Sequence, residues 1–114
     1  IDYVVRYGPN KNRKYSYGRY QDILDEILRA LISRNVGIEL NTGGFHYGLG
    51  EPNPCCAIIR RYRELGGELI TVGADAHAPD KIAYSFDKAA DILRESGFQY
   101  YTIFKNRKPE FLPL

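Results

Sequence analysis

A chain of 114 residues can build one hydrophobic core but not two, and 44% hydrophobic against 26% charged residues is the balance of an ordinary globular domain. A net charge of +2 is too small to mark a nucleic-acid or acidic-membrane surface, and no apolar run approaches the roughly twenty residues of a membrane span. Cys55 and Cys56 are neighbours in sequence and cannot staple distant segments, so unpaired thiols and a reducing cytoplasm are expected.

The chain opens on Ile1-Asp2-Tyr3-Val4-Val5, whose β-branched character predicts a strand over residues 2–5. Because it begins in this way and contains no Met, it reads as a piece of a longer protein whose remainder lies on the N-terminal side. Residues 20–33 carry Ile23, Leu24, Ile27, Leu28, Leu31 and Ile32 at helical spacing, which predicts an amphipathic helix. A strand follows at 36–40. Asn53 and Pro54 then read as N-cap and first residue of a second helix, with Ile58, Ile59, Tyr62 and Leu65 inward and Gly66-Gly67 as its stop. A strand at 69–73 precedes a third helix, capped by Ser85, buried through Phe86, Ala89, Ala90 and Leu93, and stopped at Gly97. The last strand is expected at 100–104.

Strands about thirty residues apart, each separated by a helix, are the pattern of βαβ units and a parallel sheet. In such folds the chemistry gathers on the loops that leave the C-terminal ends of the strands. Three loops qualify: Arg6-Tyr7-Gly8, then Asn41-Thr42-Gly43-Gly44-Phe45-His46-Tyr47, then Asp75-Ala76-His77. In the last, residues i and i+2 of an extended segment put a carboxylate and an imidazole on one side. A hard oxygen beside a borderline nitrogen suits a divalent cation, although Asp and His are also common turn residues. Glu39, at the end of a strand, could serve as a ligand or orient the Asn41 loop through hydrogen bonds.

Several motifs fall in one order along the chain. They are Ile-Asp-Tyr-Val-Val-Arg-Tyr-Gly at 1–8, Ile38-Glu39-Leu40-Asn41-Thr42-x-Gly44, Glu51-Pro52-x-Pro54, Arg61-Tyr62-Arg63-Glu64-Leu65-Gly66-Gly67-Glu68, Gly73-x-Asp75-Ala76-His77-x-Pro79 and Lys105-Asn106-Arg107-Lys108-Pro109. Together they resemble the C-terminal part of the histidinol-phosphatases of the polymerase-and-histidinol-phosphatase (PHP) superfamily. The resemblance implies an α/β fold in which parallel βα units form the C-terminal half of a distorted (β/α)7 TIM-like barrel. It implies a metal-dependent hydrolase that converts L-histidinol phosphate to L-histidinol and phosphate, using two or three divalent ions (Zn, Fe or Mn).

By the same resemblance Asp75 and His77 are metal ligands and catalytic residues, Arg6 binds the substrate phosphate, and the other ligands lie outside this chain. His46 stands where the family usually carries an Arg that helps hold phosphate, and Gly43 where it carries Ser. An imidazole donates to phosphate without the two-pronged fit of a guanidinium.

The 114 residues alone are expected to be inactive, because two histidines cannot build a polynuclear centre. The expected partners are the small phosphorylated substrate, the missing N-terminal half of the barrel, and a second copy of the chain through uncovered apolar edges. Nucleic acid and membrane are not expected. Another phosphoesterase of the superfamily and a non-catalytic assembly fragment stay open as alternatives. The basic runs Lys11-Asn12-Arg13-Lys14 and 105–108 read as solvated loops; Tyr15, Tyr17 and Tyr20 could line a loop near substrate, with surface packing as the default.

Overall fold

A computed structural model describes residues 1–7 and 15–114. Its elements are α1 (Tyr3–Tyr7), α2 (Gln21–Ser33), β1 (Ile38–Asn41), α3 (Gly43–His46), α4 (Cys56–Glu64), β2 (Ile70–Gly73), α5 (Phe86–Glu95), β3 (Tyr100–Lys105) and β4 (Lys108–Pro113). Single 3-10 turns lie at Tyr17–Arg19 and Pro79–Lys81. The run 11–14 falls outside the described residues, as does Gly8.

β1 and β2 are parallel, with Ile38 opposite Ile70 and Asn41 opposite Gly73. Alternation along them separates two faces. Ile38, Leu40, Ile70 and Val72 turn to the helices and join Leu24, Leu28, Ile58, Ile59, Tyr62, Ala89, Leu93 and Phe98 in one core. Glu39, Asn41, Thr71 and Gly73 share the opposite face. A two-stranded sheet with one apolar and one polar face places its site on the polar side.

The three long helices form where their periodicity predicts, and two of them stop at glycines whose φ is positive, Gly66 (94°) and Gly97 (88°). Their buried stripes are narrower than expected. Leu24 and Leu28 are buried, whereas Ile23, Ile27 and Phe86 stay exposed. α4 begins later than its start signals suggest. Asn53 is engaged backbone to backbone with Asn41 (2.8 and 2.9 Å), so the cap falls to Cys55. Cys55 and Cys56 are both unpaired thiols.

Two expectations are overturned. Residues 2–5 are not a strand: the chain turns helical at Tyr3, with the Val5 amide donating to the Asp2 carbonyl (2.9 Å). Asp2 is buried and anchors that turn. Its carboxylate accepts from the Cys55 amide (2.8 Å) and from Asn53 Nδ2 (3.3 Å). The second correction concerns the end of the chain. β3 lies beside β2 but makes its ladder with β4, in antiparallel register from Tyr100–Pro113 to Lys105–Lys108. The basic run 105–108 is therefore a two-residue hairpin turn and not a free loop. Asn106 and Arg107 both have positive φ (51° and 64°), the combination that matches the strand twist.

The tyrosines near the start of α2 pack as expected. Tyr15 stacks on Tyr20, and Tyr17 donates to Asp25 Oδ1 (3.0 Å). Asp25 is also gripped by Arg61, which joins α2 to α4 through three contacts of 2.6–3.2 Å. Among the described residues no helix is long and apolar enough to cross a membrane.

Candidate metal and phosphate site

β1 and β2 end side by side, and the segments that leave them are tied together by Thr42. Its side chain is fully buried; the amide donates to the Gly73 carbonyl (2.8 Å) and Oγ1 to the Tyr84 carbonyl (2.6 Å). Both ends of the loop from Ala74 to Tyr84 are thus held against the end of β1. Within it Asp75 has a φ of 50°, the left-handed region that Asp enters more readily than most residues. That turn aims its carboxylate back toward α1.

Arg6, in the last turn of α1, meets it there. Nη1 donates to Asp75 Oδ2 at 2.9 Å. The guanidinium carbon lies 3.5 Å from the centre of the Tyr47 ring and 5.0 Å from that of Tyr7, so the cation rests on two aromatic faces. The Arg6 hydrogen bond, reinforced by the Arg6 charge, holds the Asp75 carboxyl below the usual carboxylate range despite some burial.

The other oxygen, Asp75 Oδ1, faces His77 Nε2 at 3.4 Å, and the imidazole is 78% exposed. Two ligand atoms each about 2.1 Å from a tetrahedral zinc ion stand about 3.4 Å apart. The pair therefore has the spacing of one edge of a zinc tetrahedron, with the imidazole open to receive an ion. Among the described residues no three His, Cys, Asp or Glu side chains gather, so this chain offers a pair of donors.

Arg6, Asp75 and His77 thus come together in one line of contacts. His46, the last residue of α3, stands one step away. Its exposed ring meets Tyr47 (5.3 Å between centres) and Tyr84 (5.8 Å) edge-on, and it touches the Arg6 group through Tyr47. Of the two roles open to Glu39, the hydrogen-bonding one is present: Asn41 Nδ2 donates to Glu39 Oε1 (3.0 Å) while Asn41 Oδ1 accepts from the Gly43 amide (2.9 Å). Sequence reasoning overlooked Tyr47 and Tyr84. A tyrosine in a polar loop carries no signal of what its ring will face.

No family model matches the chain. It is 34% identical over 108 residues to the histidinol-phosphatase of Lactococcus lactis subsp. lactis, an alignment spanning 95% of this chain and 40% of the relative. The probable histidinol-phosphatases of Clostridium acetobutylicum (36% identity, 78% of this chain, 34% of the relative) and Thermotoga maritima (30%, 90% and 42%) are similar. A crystal structure of the Lactococcus lactis histidinol phosphate phosphatase, complexed with zinc, L-histidinol and phosphate, superposes with a TM-score of 0.81 at 33% identity. The match covers 96% of this chain and 41% of that one. The chain spans about two fifths of the length of the curated relatives it matches. In sequence and in its mixed α/β fold, the chain is a homologue of the C-terminal part of the histidinol-phosphatases.

Proposed function

We propose that the polypeptide carrying this chain is a metal-dependent phosphomonoesterase that hydrolyses L-histidinol phosphate to L-histidinol and phosphate, and that residues 1–114 are the C-terminal part of its distorted (β/α)7 barrel. The observation that carries this reading is the line Arg6–Asp75–His77, a phosphate-sized cation beside a carboxylate–imidazole pair at zinc-edge spacing. The zinc, L-histidinol and phosphate held by the Lactococcus lactis neighbour support the same chemistry.

Asp75 and His77 are the residues that would hold a divalent cation, with the imidazole neutral so that its Nε2 keeps its lone pair. When bound, such ions polarise a phosphoryl oxygen and bring the pKa of bound water toward neutrality. Arg6 spends one N–H on Asp75, which leaves the rest of its five-donor fork for phosphate oxygens and for the charge that builds as the ester bond breaks. The Tyr47 ring keeps the guanidinium plane in place. His46 flanks the group as an additional donor to phosphate, and the remaining metal ligands come from outside these residues.

The test is phosphate release from L-histidinol phosphate by the polypeptide as its gene encodes it, alongside Asp75→Asn and His77→Ala. Turnover in the parent and its loss in both variants is the expected result. Full turnover with both variants sinks the site assignment. The His46 departure favours a second reading, a related phosphoesterase with another substrate; a parent that spares L-histidinol phosphate but cleaves other phosphomonoesters selects it. The isolated 114 residues are expected to release no phosphate.

A further inference from the structure

We infer that Tyr84 is a positioning residue, whose ring sets the direction in which the His46 imidazole reaches the substrate phosphate. The inference rests on the function proposed above, in which Arg6 and His46 take the phosphate, and it adds a residue that holds one of those donors in place.

His46 combines a fixed backbone with an exposed side chain. It is the last residue of α3, whose Phe45 and Tyr47 amides donate to the Thr42 and Gly43 carbonyls (both 3.0 Å). Thr42, at the head of that helix, is fully buried. Gly44 lies so close to the next segment that a Cβ there would collide with the Glu51 carbonyl. The main chain of α3 is therefore pinned, and what is left to set is the direction of the imidazole. Two rings hem it in edge-on, Tyr47 at 5.3 Å and Tyr84 at 5.8 Å. Tyr47 is the next residue in the chain and already carries the Arg6 guanidinium at 3.5 Å. Tyr84 reaches the imidazole from the loop that follows β2.

Tyr84 is itself firmly placed. Its carbonyl accepts from Thr42 Oγ1 (2.6 Å) and its amide donates to the Lys81 carbonyl (3.2 Å). The residues on either side of it, Ala83 and Ser85, have φ of 55° and 56°. Left-handed backbone is unfavourable for both residue types, so a pair of them around one residue persists where the surroundings enforce it. The Lys81 ammonium lies 5.4 Å from the centre of the Tyr84 ring and pairs with Asp80 (3.0 Å), a second hold on that ring. These contacts lie within or between the segments that leave β1 and β2, so none of them depends on residues outside this chain. Edge-on ring pairs favour one geometry over others. An imidazole held this way gives up less rotational freedom when phosphate arrives, an effect that falls on binding and not on the chemical step.

Tyr84→Phe keeps the ring and removes the hydroxyl, whereas Tyr84→Leu removes the ring and keeps the main-chain acceptor of Thr42. The gene-encoded polypeptide and both variants, alone and combined with His46→Ala, are compared for kcat and KM on L-histidinol phosphate and for inhibition by inorganic phosphate. Zinc content is measured on the same samples. Tyr84→Leu is expected to raise KM and the inhibition constant by about 2- to 12-fold, with kcat and zinc content near the parent's. Tyr84→Phe is expected to restore the parent values, and Tyr84→Leu should add less than about 2-fold once His46 is Ala. A Phe variant as weak as the Leu variant would overturn the inference by making the hydroxyl the acting group. No effect of Tyr84→Leu, or an undiminished effect in the His46→Ala background, would overturn it as well. Loss of zinc would do so by reducing Tyr84 to a support of the whole loop. A parent that releases no phosphate from L-histidinol phosphate overturns the proposed function instead.

Discussion

Thr42 is the joint between the strand ends and the loop that carries Asp75 and His77, so its removal tests how the site is held. Thr42→Val keeps the shape of the side chain and deletes the hydroxyl. Oγ1 is fully buried and donates to the Tyr84 carbonyl at 2.6 Å, with the Gly73 carbonyl at 3.3 Å. The variant leaves that carbonyl without its side-chain donor, at a cost of about 1–3 kcal/mol. A chain of this size loses about 4 °C of melting temperature per kcal/mol, so a drop of roughly 4–12 °C is expected. Thr42→Ser keeps the donor and removes one methyl, worth about 0.8 kcal/mol. Thermal and urea unfolding of the two variants would be compared with the parent. If Thr42→Val unfolds within about 0.5 kcal/mol of the parent, the Thr42–Tyr84 bond does not hold the loop, a threshold set by the scatter of neutral substitutions.

The Arg6–Tyr47 contact predicts that Tyr47→Phe leaves phosphate binding near the parent value, while Tyr47→Leu weakens it by about 2- to 30-fold, read as the inhibition constant of inorganic phosphate. Identical constants for the two variants would remove the clamp. A pH prediction follows from Asp25, whose carboxyl the Arg61 hydrogen bonds, aided by Tyr17, hold down to about 2. A depressed carboxylate stabilises fully above its ordinary value of 3.8 and loses that contribution as pH falls through about 2. Urea midpoints should therefore fall between about pH 4 and pH 2 more steeply for the parent than for Asp25→Asn. Parallel curves would refute the assignment.

Much of this architecture is legible in the sequence because its signals are local. The stripes of α2, α4 and α5 and the stops at Gly66 and Gly97 need nothing beyond a few neighbouring residues. The errors arise where distant groups decide. Val4-Val5 favours a strand by propensity, but the buried Asp2 anchors the turn through Asn53 and Cys55, and Arg6 is drawn to Asp75. β4 is concealed by Pro109 and Pro113, which an edge strand tolerates and a central one would not. The turn before it lacks the usual Gly, so Arg107 at positive φ hides the hairpin. In the site, Asp75 and His77 are readable as an i, i+2 pair. Tyr47 over Arg6 and Glu39 beneath Asn41 depend on which loops the fold brings together, and no spacing announces them.

The central claim is that the Asp75–His77 pair holds an ion needed for phosphoester hydrolysis. Its most direct test is phosphate release from L-histidinol phosphate by the gene-encoded polypeptide, before chelation, after chelation and after zinc is returned. The account predicts that chelation abolishes turnover and that zinc restores it in the parent but not in Asp75→Asn. Turnover that survives complete removal of metal would contradict it.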